Sequence, residues 1–206
     1  MACLALLALS IACQSETPSV SSPVPTPTPH AEPTAAILQS ADAPAGLNPC
    51  LGAGPVEVYL AQLATADATV AARVSAQWQE LRAEGAEEGA ISVFAADPSA
   101  CKAELGAAGS VKAVMSMVVM FSDPGLADRA WESGVLGFAP PPVAEVAPGL
   151  TRGSATGLGL SSFTYFRPPV LLACWHRSVF VALVVASNLD AATFKSATAA
   201  VDARLN

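Results

Sequence analysis

The chain is predicted to be α+β, with an antiparallel sheet of four or five strands and helices packed on one face. Three observations lead there. Val56, Leu60, Leu63, Val70, Val74, Trp78 and Leu81 recur at helical spacing. From Val111 to Phe121 the odd positions are Val, Ala, Met, Met, Val and Phe, while Lys112 and Ser116 fall on even ones, which is the two-residue period of a strand with one face buried. The run VLLACWHRSVFVALVVAS is too long for one strand and turns polar at His176, Arg177 and Ser178, so it folds as a hairpin.

The elements follow in order. Pro55 suits the first turn of a helix and Gly85 its stop, with Asp67 the one place where the apolar stripe is interrupted and the helix can break. A short apolar run, AISVF, comes next. Asp97, Pro98 and Gly106 then have the cap, first-turn and terminal positions of a short helix carrying Cys101. After the strand at 111–121, SDPG supplies a cap for a helix that turns Leu126, Ala130 and Trp131 inward. A loop stiffened by Pro140, Pro141 and Pro142 leads to the strand SSFTYF and the hairpin. A closing helix from Asp190 is predicted to bury Ala192, Phe194, Ala197, Val201 and Leu205.

Ahead of the domain, Ala2–Ala12 is apolar but shorter than the roughly 20 residues of a membrane span, and it ends at Cys13 followed by polar residues. That length suits the apolar region of a signal peptide. Leu9, Ser10, Ile11, Ala12 and Cys13 resemble the lipobox of bacterial lipoproteins, although Ser10 stands where that pattern prefers Leu and no Lys or Arg precedes Arg73. The resemblance implies a signal peptide over 1–12 and an acylated Cys13. From Gln14 to Asn48 the chain holds seven of its seventeen prolines and few large side chains, so 13–48 is predicted to be the acylated cysteine and a disordered Pro/Ser/Thr-rich tether. His30 falls in it. A single globular domain is expected over 49–206.

With 10 basic and 17 acidic residues and a net charge of −7, the chain has no electrostatic footprint for nucleic acid or for a polybasic membrane patch. GLTRGSATGLGL is glycine-rich, yet no Lys-Ser or Lys-Thr pair follows it and a strand comes next, so it is not a phosphate loop. A serine hydrolase would need His176, but Ser154 lacks nucleophile-elbow spacing. Two histidines, with no paired cysteines and no clustered carboxylates near them, give no metal site, and no cofactor is expected. Glu84, Glu87 and Glu88 belong to a solvated turn. The one hint of catalysis is Cys174 and His176, two residues apart on a strand and so on one side of it.

With Cys3 in the signal peptide and Cys13 acylated, Cys50, Cys101 and Cys174 remain, enough for one bridge. The expected pair is Cys101 with Cys174, a helix against a central strand, with the Cys50 pairings as alternatives.

The stretches VVMFSDPGLADRAWES, TGLG, WHRSVFVALVVA and ATAAVDARL resemble the extracytoplasmic domains of actinobacterial and related lipoproteins, and the sensor domains of membrane Ser/Thr kinases, over about Ser110–Leu205. The resemblance implies a ligand-binding or sensing domain without catalysis, lipid-anchored in the cell envelope. The alternatives are an exported thiol enzyme using Cys174 and His176, or a purely structural envelope protein. The expected partners are the membrane through the anchor and an amphiphilic ligand or an envelope protein. In LSSFTYFRPP, Phe163, Tyr165 and Arg167 share one strand face and Ser162, Thr164 and Phe166 the other. Aromatic rings ending in a basic group suit an amphiphile with an anionic head, to which Arg152 in the preceding loop would add a second charge.

Overall fold

The structure is a computed structural model that describes residues 31–50, 52–97, 101, 111–145 and 147–205. Cys13, His30 and most of the short helix expected over Asp97–Gly106 lie outside the described residues.

Three aspartates start helices where the sequence places them. Asp67, extended at φ −155°, ends helix α2 (Val56–Ala66) and caps α3 (Ala68–Ala83) by accepting from the Val70 amide at 3.2 Å. Asp123 caps α4 (Pro124–Ser133) through the amides of Gly125 and Leu126, and Asp190 caps α5 (Ala191–Asp202) through that of Thr193. In α5 the buried residues are Phe194, Ala197, Thr198 and Val201, with Leu205 beyond its end, while Ala192 is exposed. The correction follows from geometry, since Ala192 lies about 200° around the helix from Phe194.

The sheet is antiparallel, as predicted, but larger than four or five strands. Its long members are β3 (Ala86–Ala95), β4 (Ala113–Phe121), β6 (Ser162–Arg167), β7 (Val170–Arg177) and β8 (Phe180–Ser187). Three short ones complete it: β1 (Asn48–Pro49), β2 (Gly54–Pro55) and β5 (Leu150–Arg152). The order is β1-β3-β4-β8-β7-β6-β5, with β2 also pairing β3. Strands of two or three residues have no room to display a period of two, so the sequence pattern passes over them. The hairpin between β7 and β8 turns at Ser178, which has φ +54°.

Helices cover both faces rather than one. On the first face α2, α3 and α4 pack through Tyr59, Leu63, Trp78 and Ala127 against the odd residues of β4, Met117 and Val119 among them. On the second, α5 packs with helix α1 (Pro33–Ala36) and the Ile37 and Leu38 that follow it against Val114, Val118, Trp175 and Val184. The cause is in the central strands. All eight residues of β8 are buried, and so are both alternating sets of β4 apart from Met120. A sheet apolar on both sides must be covered on both.

The tether boundary at residue 48 is also corrected. Ile37 and Leu38 are 1% and 0% exposed, so the segment from α1 to Leu38 belongs to the fold, which reaches at least about 16 residues ahead of the expected start at 49. The Ala-Ala-Ile-Leu run, unremarkable among prolines, is what the second face of the sheet needs.

The disulfide is Cys50–Cys101, not Cys101–Cys174. The Cys50 amide donates to the Val93 carbonyl and β1 pairs with the end of β3, so Cys50 is held beside the point where β3 gives way to the segment bearing Cys101, and the two Cα atoms stand 5.3 Å apart. Cys174 is a free thiol in the middle of β7, fully buried on the α4 face.

Candidate functional site

At the β5–β6 edge of the sheet, the alternation of β6 divides its side chains between two hollows. On the α2–α4 face are Phe163, Tyr165 and Arg167, and on the α1–α5 face Thr164 and Phe166, as the sequence indicates.

The first hollow measures about 540 Å3. Its floor follows from strand register. Leu150, Tyr165 and Leu172 are directly paired across β5, β6 and β7, and Arg167 is paired with Val170 at the mouth. Phe163 closes the inner end, 4% exposed. The β6–β7 turn contributes Pro168 and Pro169, joined by a cis peptide bond. The roof is the proline-stiffened loop after α4, from which Phe138, Pro141 and Glu145 line the cavity. Tyr165 is half-buried, and its hydroxyl accepts from Arg167 Nη1 at 3.3 Å. Arg167 and Glu145 are the charged groups of the lining, both exposed.

Two further features shape this hollow. Gly149 has φ +83°, and a Cβ there would run into the Phe166 carbonyl, so only glycine lets β5 start flush against β6 and present Leu150 to the cavity. Arg152 does not reach the mouth. It is paired with Phe163, four residues along β6 from Arg167, a separation of about 13 Å at strand spacing. Its Nη1 donates to the Val143 carbonyl at 2.9 Å instead, tying the roof loop to the edge strand. Phe163, Tyr165 and Arg167 are therefore brought together, and Arg152 holds the loop above them.

Sequence reasoning missed Glu145, Phe138 and Leu150. The one available signal was the proline triplet, which marks a loop rigid enough to roof a cavity.

The second hollow, about 600 Å3, lies between α5 and the short 3-10 turn Gly153–Thr156. Thr151 and Thr164, directly paired, and Phe166 form its floor. Lys195 sits over the Phe166 ring at 5.7 Å, and Asp202 is already occupied by Arg177 at 2.8 Å.

The Cys174 and His176 pair makes a poor catalytic arrangement. Burial pushes the Cys174 thiol up to about 12, so it is not a thiolate near neutral pH. His176 directs Nδ1 toward Asp128 Oδ1 at 3.4 Å and Nε2 to the Ser178 carbonyl at 2.6 Å, which engages both ring nitrogens elsewhere. Among the described residues no group of three or more His, Cys, Asp or Glu could hold a metal, and no helix is long and apolar enough to cross a membrane.

Comparison with known proteins returns no matching family model, no matching curated protein and no matching solved structure.

Proposed function

We propose that this protein is a lipid-anchored extracytoplasmic lipoprotein of the cell envelope, whose domain binds an amphiphile without catalysis. The observation that carries the binding reading is the hollow at the sheet edge, which joins an apolar floor of Leu150, Phe163 and Leu172 to a basic group, Arg167, at its mouth. Pockets of several hundred Å3 with mostly apolar walls and a few placed polar groups are the usual form of small-molecule sites. The buried, unionised thiol of Cys174 supports binding over the alternative of a thiol enzyme.

The anchored location rests on the lipobox-like Leu9–Cys13 and the Pro/Ser/Thr-rich stretch after it, and the sensor-like role on the resemblance of Ser110–Leu205. Expected behaviour is partition of the protein into detergent through an acylated Cys13, and its release or stalling by Cys13→Ser. An intact N-terminus on protein that stays in the aqueous phase would refute the anchor. For the pocket, the purified protein should bind alkyl-chain probes whose head carries an anionic group in calorimetric titration, with affinity reduced about 10-fold or more by Tyr165→Ala and several-fold by Arg167→Ala. Equal and negligible binding by wild type and both folded variants would leave a protein partner as the occupant of this face.

A further inference from the structure

The hollow carries one charge of each sign, and the two do not neutralise each other. Arg167 touches the Tyr165 hydroxyl, Glu145 lies on the roof loop opposite, and among the described residues no ion pair involves either. The same lining includes the apolar side chains of Leu150, Leu172 and Val170.

We infer that the head group of the ligand is zwitterionic, its anionic part meeting Arg167, its cationic part meeting Glu145 and its apolar chain running in toward Phe163. This deepens the binding reading and rests on it. The selection is electrostatic. A purely anionic head is attracted by Arg167 and repelled by Glu145, so the repulsion offsets part of the attraction, and a purely cationic head meets the same opposition with the signs exchanged. Only a head bearing both charges gains from both residues. The field of the whole chain adds to this only against the anionic head, since a net charge of −7 opposes the approach of an anion and favours that of a cation, so rejection of a cationic head falls to Arg167 alone. Both side chains are exposed, so each contact is screened, and the preference amounts to a modest factor laid over affinity supplied by the apolar chain.

The test is calorimetric titration of the full-length protein with three probes sharing one C12 chain, each kept below its micelle concentration: dodecylphosphocholine, dodecyl phosphate and dodecyltrimethylammonium. Wild type should bind the phosphocholine about 5-fold more tightly than either probe whose head carries charge of one sign only. Glu145→Gln should bring dodecyl phosphate level with the phosphocholine, and Arg167→Gln should do the same for dodecyltrimethylammonium. If dodecyl phosphate binds wild type as tightly as the phosphocholine does, or Glu145→Gln leaves the order unchanged, the zwitterion is wrong while the pocket stands as an amphiphile site. If none of the three binds, the pocket reading itself fails and the inference goes with it.

Discussion

The amide of Leu38 donates to the side-chain oxygen of Ser116 at 2.8 Å, a buried bond between residues 78 apart in the chain. Ser116 lies at the centre of β4 and also meets Ser92 of β3 at 2.8 Å, so one hydroxyl couples two strands to the segment that follows α1. Replacing Ser116 by Ala leaves the Leu38 amide and the Ser92 hydroxyl buried without that partner, and should cost about 1–3 kcal/mol. Leu38→Ala removes a fully buried side chain and should cost about 2–5 kcal/mol. Urea unfolding measures both. A loss within 0.5 kcal/mol for each would mean that residues 33–38 contribute little to the fold.

The Cys50–Cys101 bridge joins residues 51 apart, and the chain-entropy model gives such a loop about 4 kcal/mol of stabilisation. Peptide mapping without reduction should recover Cys50 linked to Cys101 and leave Cys174 as the free thiol. Cys50→Ser with Cys101→Ser should lower the unfolding midpoint, and a reductant should act on wild type in the same direction and not on the double variant. A Cys174 adduct in the unreduced map would contradict the assignment.

Alkaline solution should weaken the protein through two buried groups. Burial raises the Cys174 thiol from 9.0 to about 12 and the Tyr59 hydroxyl from 10.0 to about 12. Between the unfolded and folded values the native state holds protons that the unfolded chain has released, so stability is fully present below about pH 9 and is lost as pH rises toward 12. Cys174→Ala and Tyr59→Phe should each flatten that decline in thermal unfolding measured from pH 8 to 11. The Tyr59 hydroxyl is buried without a hydrogen-bond partner, so Tyr59→Phe should be neutral or stabilising at pH 7. In the same range a thiol reagent should label Cys174 only after denaturant is added.

Gly149→Ala tests how β5 is seated. A methyl group there collides with backbone rather than with a side chain that can move, and the residue has positive φ besides. The expected loss exceeds 1 kcal/mol, together with weaker probe binding because Leu150 leaves the cavity floor. An unchanged stability would show that the edge strand can shift without cost.

What the sequence made legible is local. Asp67, Asp123 and Asp190 announce helix starts because a cap is decided within a few residues, and Ser178 announces a turn for the same reason. The division of Phe163, Tyr165 and Arg167 from Thr164 and Phe166 needed only the strand period. What escaped was decided at a distance. Ile37 and Leu38 matter only because Ser116 and Val118 wait on the far face of the sheet, and nothing near them in the chain says so. Glu145 enters the site because a loop folds back over Tyr165. Cys101 finds Cys50 because β1 pairs with the last residues of β3, a two-residue contact with no pattern of its own.

The short outer strands give the sheet blunt edges. The segments AVMSMVVMF and FVALVVAS, uncharged, rich in valine and free of proline, have the composition that assembles into stacked sheets when exposed, yet in the fold they are paired with each other at the centre. Toward one edge β3 meets only two-residue strands, each with a proline that has no amide hydrogen to offer a newcomer, Pro49 and Pro55. At the other edge β5 is three residues long and is followed at once by Gly153 with φ +60°. Both margins are thereby poorer templates for an added strand than an unbroken edge would be. Growth of fibrils should then begin chiefly from molecules that have opened enough to bare β4 or β8, and its rate should follow the unfolded fraction rather than the concentration of folded protein.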